Sequence, residues 1–68
     1  MDFHIETEQE TDGRWIAEIT DIPGCMVYGN TPEQAIARVK ALALRILADQ
    51  LDENQRLVNL TSITFAST

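Results

Sequence analysis

From Pro32 to about Leu51 the chain runs through about five helical turns with no glycine and no further proline, and alanine and leucine dominate it. No other feature constrains the fold as strongly. A helix of that length draws its stability from an apolar face laid against something, and the short segments around it are the only surface the chain has to offer. Its start is well marked. Thr31 supplies a capping hydroxyl, Pro32 suits the first helical position, and Gln34 completes a Thr-x-x-Gln capping box. At helical spacing Ala35, Ile36, Val39, Leu42, Ala43, Ile46 and Leu47 share one broad apolar arc, while Gln34, Arg38, Arg45, Asp49 and Asp52 gather opposite. Between them lies a flank of Ala37, Ala41, Leu44, Ala48 and Leu51. One small sheet does not need so wide an apolar surface, so this flank is the candidate seam for self-association.

The rest of the chain reads as short strands. Phe3, Ile5 and Thr7 alternate with His4, Glu6 and Glu8, the period of a half-buried strand. Asp12-Gly13 is a strong hairpin signal, after which Trp15, Ala17 and Ile19 alternate with Ile16 and Glu18 in a strand antiparallel to the first. Asp21-Ile22-Pro23-Gly24 has the chemistry of a type II turn. Cys25–Tyr28 makes a third strand, ended by Gly29-Asn30. After the helix, Asp52–Gln55 reads as a polar loop and Leu60–Phe65 as a final strand. The predicted class is α+β in the order β-β-β-α-β: an antiparallel three-stranded meander, one long helix on one face, and a fourth strand. A helical crossover makes the last strand parallel to the third. Periodicity does not say which sheet edge it joins.

Sixty-eight residues suit a single domain, residues 1–68. A domain this small buries only about 60% of the surface its unfolded chain exposes. One cysteine, Cys25, cannot form an internal disulfide, and with one histidine, His4, it cannot build a structural zinc site. Self-association or a partner is the expected supplement. The start has no basic, apolar leader pattern, and the most apolar stretch, Ala41–Ala48, is interrupted by Arg45 and too short for a bilayer. The expectation is a cytoplasmic protein with no membrane contact.

Charge narrows the partners. The net charge is −6, with only five lysines and arginines, which argues against direct nucleic-acid binding. All of that excess lies in residues 1–30, where Asp2, Glu6, Glu8, Glu10, Asp12, Glu18 and Asp21 face a single base, Arg14. The plain explanation is a solubilising surface; the sharper one is an acidic face matched to a basic partner. If Phe3, Ile5, Trp15 and Ala17 point inward, with Trp15 a core anchor, then Ile16, Met26 and Tyr28 fall outward among the acids. An inverted register of the third strand would turn Met26 and Tyr28 in instead.

Residues that could carry chemistry are few. His4 reads as an exposed strand residue and Cys25 as a small buried thiol. Glu6 and Glu18 share an outward parity and, with Asp12 or Asp21, could hold a magnesium ion, although carboxylates on a solvated sheet are ordinary. The three glycines stand alone, so there is no phosphate-cradling loop, and no cofactor is expected.

Three stretches, taken in order, resemble the HicB family of antitoxins. Asp12-Gly13-Arg14-Trp15-Ile16-Ala17-Glu18 is similar to that family's D-G-x-W-x-A-E strand. Asp21-Ile22-Pro23-Gly24-Cys25 is similar to its D-L-P-G-C turn, and Gly29-Asn30-Thr31-Pro32-Glu33-Gln34-Ala35 to its G-D-T-x-E-E-A helix start. Asn30 stands where the family has Asp, and Gln34 where it has Glu. The resemblance covers about the first two thirds of the chain. It implies a partial RNase H-like fold with strand order 3-2-1-4, loss of nuclease carboxylates, and self-association. It also implies a partner, a small basic HicA-type ribonuclease toxin whose RNA-binding surface the antitoxin covers. Many HicB proteins carry a C-terminal DNA-binding domain; this chain ends soon after its last strand, so no separate DNA-binding domain is expected, nor operator binding by this polypeptide alone.

The expected function is therefore a non-enzymatic antitoxin, with Glu6, Glu8, Glu18 and Asp21 supplying charge complementarity and Ile16, Met26 and Tyr28 the apolar anchors. One alternative is a stand-alone regulatory or structural homo-oligomer. The other is a metal-dependent nuclease using Glu6, Glu18 and Asp21.

Overall fold

The computed structural model describes residues 1–54 and 62–67. Along the chain run β1 (Asp2–Gln9), β2 (Trp15–Glu18), β3 (Met26–Gly29), α1 (Pro32–Asn54) and β4 (Thr64–Ser67). The strands form one mixed sheet in the order β3-β2-β1-β4, antiparallel except that β4 runs parallel to β1. This is the α+β arrangement expected, and the edge taken by the last strand is the one the resemblance implies.

Two turns do the folding-back. At the first, Glu10 N donates to Arg14 O at 2.7 Å and Gly13 N to Glu10 O at 3.0 Å. Gly13 sits at φ 93°, the left-handed position of a three-residue hairpin loop. At the second, Cys25 N donates to Ile22 O at 3.1 Å across Pro23 and Gly24, and Gly24 has φ 78°. Pro first and a left-handed Gly second is the type II geometry the sequence prescribes. This connection also closes one end of the core, because Ile19, Ile22 and Cys25 are all buried.

Side chains sort by strand parity. Phe3 and Ile5 of β1, Ala17 of β2 and the neighbouring Ile19 turn inward and are buried, with Val27 half-buried beside them. From the helix, Ala35, Val39, Ala43 and Leu47 meet them, each one turn after the last. Ile36, Leu42 and Ile46 flank that line, half-buried. Trp15 packs at the rim of this cluster rather than at its centre, because its pair partner at the sheet end is Gly29. Phe3 and Phe65 are paired across β1 and β4, their rings 6.0 Å apart and tilted by 32°.

The helix start differs from the expected capping box in one bond. Gln34 N donates to the Thr31 hydroxyl oxygen at 3.0 Å, but the Gln34 side-chain amide oxygen accepts from Asn30 N at 2.7 Å, one residue before the cap. The result ties the end of β3 to the first turn. The helix also runs past Leu51 to Asn54, where the sequence suggested a loop. Asp52 and Glu53 are polar but neither breaks a helix, so they lengthen its exposed end. The remainder of that expected loop, Gln55, lies outside the described residues, as do Leu60 and Thr61 of the expected final strand. That strand begins later than expected, at Thr64, whose N–H donates to Met1 O at 2.9 Å and sets the parallel pairing.

At the open margin of the sheet, Ile19 N donates to Cys25 O, which makes Ile16 and Tyr28 a pair not bonded to each other in this register. The Tyr28 carbonyl therefore faces outward, where Arg38 Nη1 donates to it at 2.9 Å.

Gly29 is where strand and helix come closest. A Cβ there would lie 2.6 Å from Ala35 N and 2.9 Å from Ala35 Cα, both backbone atoms that cannot move aside cheaply. Gly29→Ala is expected to cost about 1–3 kcal/mol of stability, read as a lowered urea midpoint with unchanged m-value; a midpoint equal to that of the parent would show that the helix can lift off without loss. Thr31→Ala should cost about 1 kcal/mol in the same measurement.

Candidate functional site: the outer face of the sheet

The face of the sheet away from α1 is organised as cross-strand rows. Glu8 of β1 pairs with Ile16 of β2, which pairs with Tyr28 of β3. One step along, Glu6 pairs with Glu18, which pairs with Met26. Six of the expected site residues are thus brought together by register alone. Met26 is 47% exposed and Tyr28 38%, while Ile16 and Glu18 are half-buried among their neighbours. The inverted register of the third strand is overturned, since Val27, not Met26 or Tyr28, packs on the core. Glu6, Thr7, Glu8, Ile16 and Glu18 line an open depression of about 410 Å³ between β1 and β2.

Its electrostatics are unfavourable as built. Glu6 and Glu18 are direct cross-strand neighbours, and like charges so placed destabilise a sheet. Among the described residues neither carboxylate has a lysine or arginine within ion-pair distance. The only ion pair among the described residues joins Arg14 to Asp12.

Arg14 is the residue that sequence reasoning passed over. Its Nε donates to Asp12 Oδ2 at 2.8 Å and its backbone N–H to Asp12 Oδ1 at 3.0 Å. Its guanidinium lies 4.4 Å from the centre of the Tyr28 ring. Tyr28 is therefore not the bare apolar anchor expected: it carries a cation on its π-face. Parity could have revealed this, because Arg14 precedes the inward Trp15 and so shares the outward side with Tyr28. The backbone N–H of Arg14, and next its side chain, hold the Asp12 carboxyl below the usual aspartate value.

Other residues take different places. Asp21 sits exposed in the β2–β3 connection, outside the two rows. His4 is exposed on β1 opposite Ala66 of β4. Cys25 is buried with its Sγ 3.8 Å from Val39 O, and burial pushes its thiol pKa up. Among the described residues no three His, Cys, Asp or Glu side chains converge as a metal-binding set, so Asp21 does not join Glu6 and Glu18. No helix among them is long and apolar enough to cross a membrane. On the helix flank, Ala37, Leu44, Ala48 and Leu51 are exposed, and Ala41 is half-buried.

The Asp12–Arg14 contact has a pH consequence. A carboxyl held below its ordinary value contributes stability above that value and loses it as pH falls through the depressed one. Followed by carbon NMR, Asp12 should titrate below the ordinary aspartate range. In Arg14→Ala the midpoint should rise only part of the way, because the backbone N–H is the larger cause and remains; a full return would assign the shift to the guanidinium alone.

No protein-family model matches the chain, and neither does any curated protein or solved structure.

Proposed function

We propose that this chain is a HicB-like antitoxin that binds a small basic ribonuclease through the outer face of its sheet and performs no reaction of its own. The observation that carries this reading is the Glu6–Glu18 pair. Two carboxylates are held opposite each other beside exposed Met26, at a cost in stability that a cationic partner would remove. Around them Glu8, Ile16 and Tyr28 continue a surface of mixed acid and apolar groups, the composition of a contact face with hydrophobic anchors and charged surroundings. A basic RNA-cleaving protein must present lysines and arginines where phosphates bind. Carboxylates at the spacing of a strand pair can occupy those positions, and they repel RNA itself. Asp21, exposed in the β2–β3 connection, adds to the negative charge of this half of the chain. The three stretches that resemble HicB proteins supply the partner class, a HicA-type toxin.

The test is to look beside this gene for a short basic reading frame and to co-express its product with this chain, followed by binding and RNA-cleavage assays; the lack of any such frame would count against the proposal. Binding should weaken steeply with added salt, and the complex should not cleave RNA. Glu6→Lys and Glu18→Lys should each weaken binding by about tenfold or more. Affinity indifferent to both salt and charge reversal would overturn the proposal.

A companion measurement separates function from folding. Glu6→Gln removes the repulsion and should raise the stability of the free protein by about 0.2–1 kcal/mol, while weakening the complex. Loss of stability in Glu6→Gln would mean that the pair is already neutralised within the chain.

A further inference from the structure

Arg14 is out of place on the outer face of the sheet. It is the single lysine or arginine in residues 1–30, set among seven acids. Its guanidinium lies over Tyr28, on the surface that a basic partner would meet. Left there, it would repel that partner's cations. What holds it is slight. Side-chain exposure is 53% for Arg14 and 52% for Asp12, so solvent screens their pairing. The Tyr28 ring under the guanidinium is itself 38% exposed.

The groups that receive this guanidinium do not depend on it. Asp12 Oδ1 accepts from the backbone N–H of residue 14 at 3.0 Å, a bond that any residue except proline can supply there. That backbone bond, more than the side chain, favours the ionised carboxylate. Tyr28 is fixed by its pairing with Ile16 and by Arg38 Nη1 on its carbonyl oxygen. With the Arg14 side chain swung out, Asp12 Oδ2 and the π-face of Tyr28 stay in place, a seat of one acceptor and one ring. A guanidinium meets both at once, donating N–H to the carboxylate while its charge lies over the ring. A lysine ammonium is a compact, strongly hydrated point charge and fits such a seat less well. Through Tyr28 the seat is continuous with the row of Ile16 and Glu8.

We propose that Asp12 and Tyr28 form an arginine-binding subsite, which Arg14 occupies in the free chain and an arginine of a basic partner takes over in the complex. The identity of that partner rests on the function proposed above, whereas the seat rests on its own geometry. Arg14 is then a competitor carried within the chain. One guanidinium replaces another on the same carboxylate and ring, so the exchange itself is nearly balanced. Its gain is the removal of a like charge from the partner's path. Glu10, whose N–H bonds Arg14 O across the hairpin mouth, sets a second carboxylate within reach of the released side chain. The seat also gives the contact face a chemical preference, for arginine over lysine.

NMR titrations of the full chain with two peptides, tri-arginine and tri-lysine, test this. Arg14→Ala keeps the backbone N–H that anchors Asp12 and clears the seat. It should bind tri-arginine several-fold more tightly than the parent does, and several-fold more tightly than it binds tri-lysine. Resonances of the Tyr28 ring and the Asp12 carboxyl should shift as tri-arginine binds. Removing a positive charge strengthens both peptides alike, so the preference between them reports the seat. Tyr28→Leu, combined with Arg14→Ala, should abolish that preference. Three results would each overturn the subsite: equal affinity for the two peptides, a preference that survives Tyr28→Leu, or a parent that binds tri-arginine as tightly as Arg14→Ala. A basic ribonuclease that fails to bind overturns the function proposed above and leaves the subsite standing, so the two failures are distinct.

Discussion

Where the sheet hands over to the helix, the backbone of Gly29 and the backbone of Ala35 come so close that no side chain fits between them. The rest of the packing follows from that approach. It brings the first turn of α1 down onto the end of β3, and the Gln34 bond to Asn30 N holds it there. From Ala35 the helix can continue only across the inner face, so its buried line advances in steps of one turn over Ala17, Ile5 and Phe3. The sheet is narrow, about 14 Å across at the usual strand spacing, whereas 23 residues of helix extend about 35 Å. Much of α1 must therefore extend past its support, which explains why Leu51 is exposed although it continues the line of Leu47.

The two faces of the sheet meet opposite demands. Inside, every buried side chain among the described residues is apolar, with no polar or charged one buried among them. Outside, the same strands hold acids in adjacent positions, where a sheet tuned only for stability would alternate signs. A chain of this size has little stability to spare. Retaining a repulsive pair at its centre is intelligible if the pair is used in a complex and merely tolerated outside it.

What the sequence made legible was whatever depends on neighbours along the chain. Thr31-Pro32 placed the helix start, Pro23-Gly24 the turn type, and the alternation around Trp15 and Ala17 the outward side of Ile16 and Glu18. With that parity fixed, the rows Glu8–Ile16–Tyr28 and Glu6–Glu18–Met26 required only the register. Features set by distant contacts were less visible. Nothing local in Phe65 says that it will stack beside Phe3, and the edge taken by β4 came from the resemblance and not from periodicity. That the Gln34 side-chain oxygen accepts from Asn30 N instead of Thr31 N depends on how β3 approaches the helix. The Arg14–Tyr28 contact joins residues that only the meander brings together.

The guanidinium of Arg38 on the Tyr28 carbonyl has a wider meaning for how this protein behaves when crowded. A small sheet with two free margins can polymerise, the outermost strand of one molecule recruiting the opposite strand of the next without end. Such head-to-tail growth needs both margins, and here one of them is plugged at its middle by a side chain from the helix. Strand-to-strand addition at that margin would first have to displace this guanidinium.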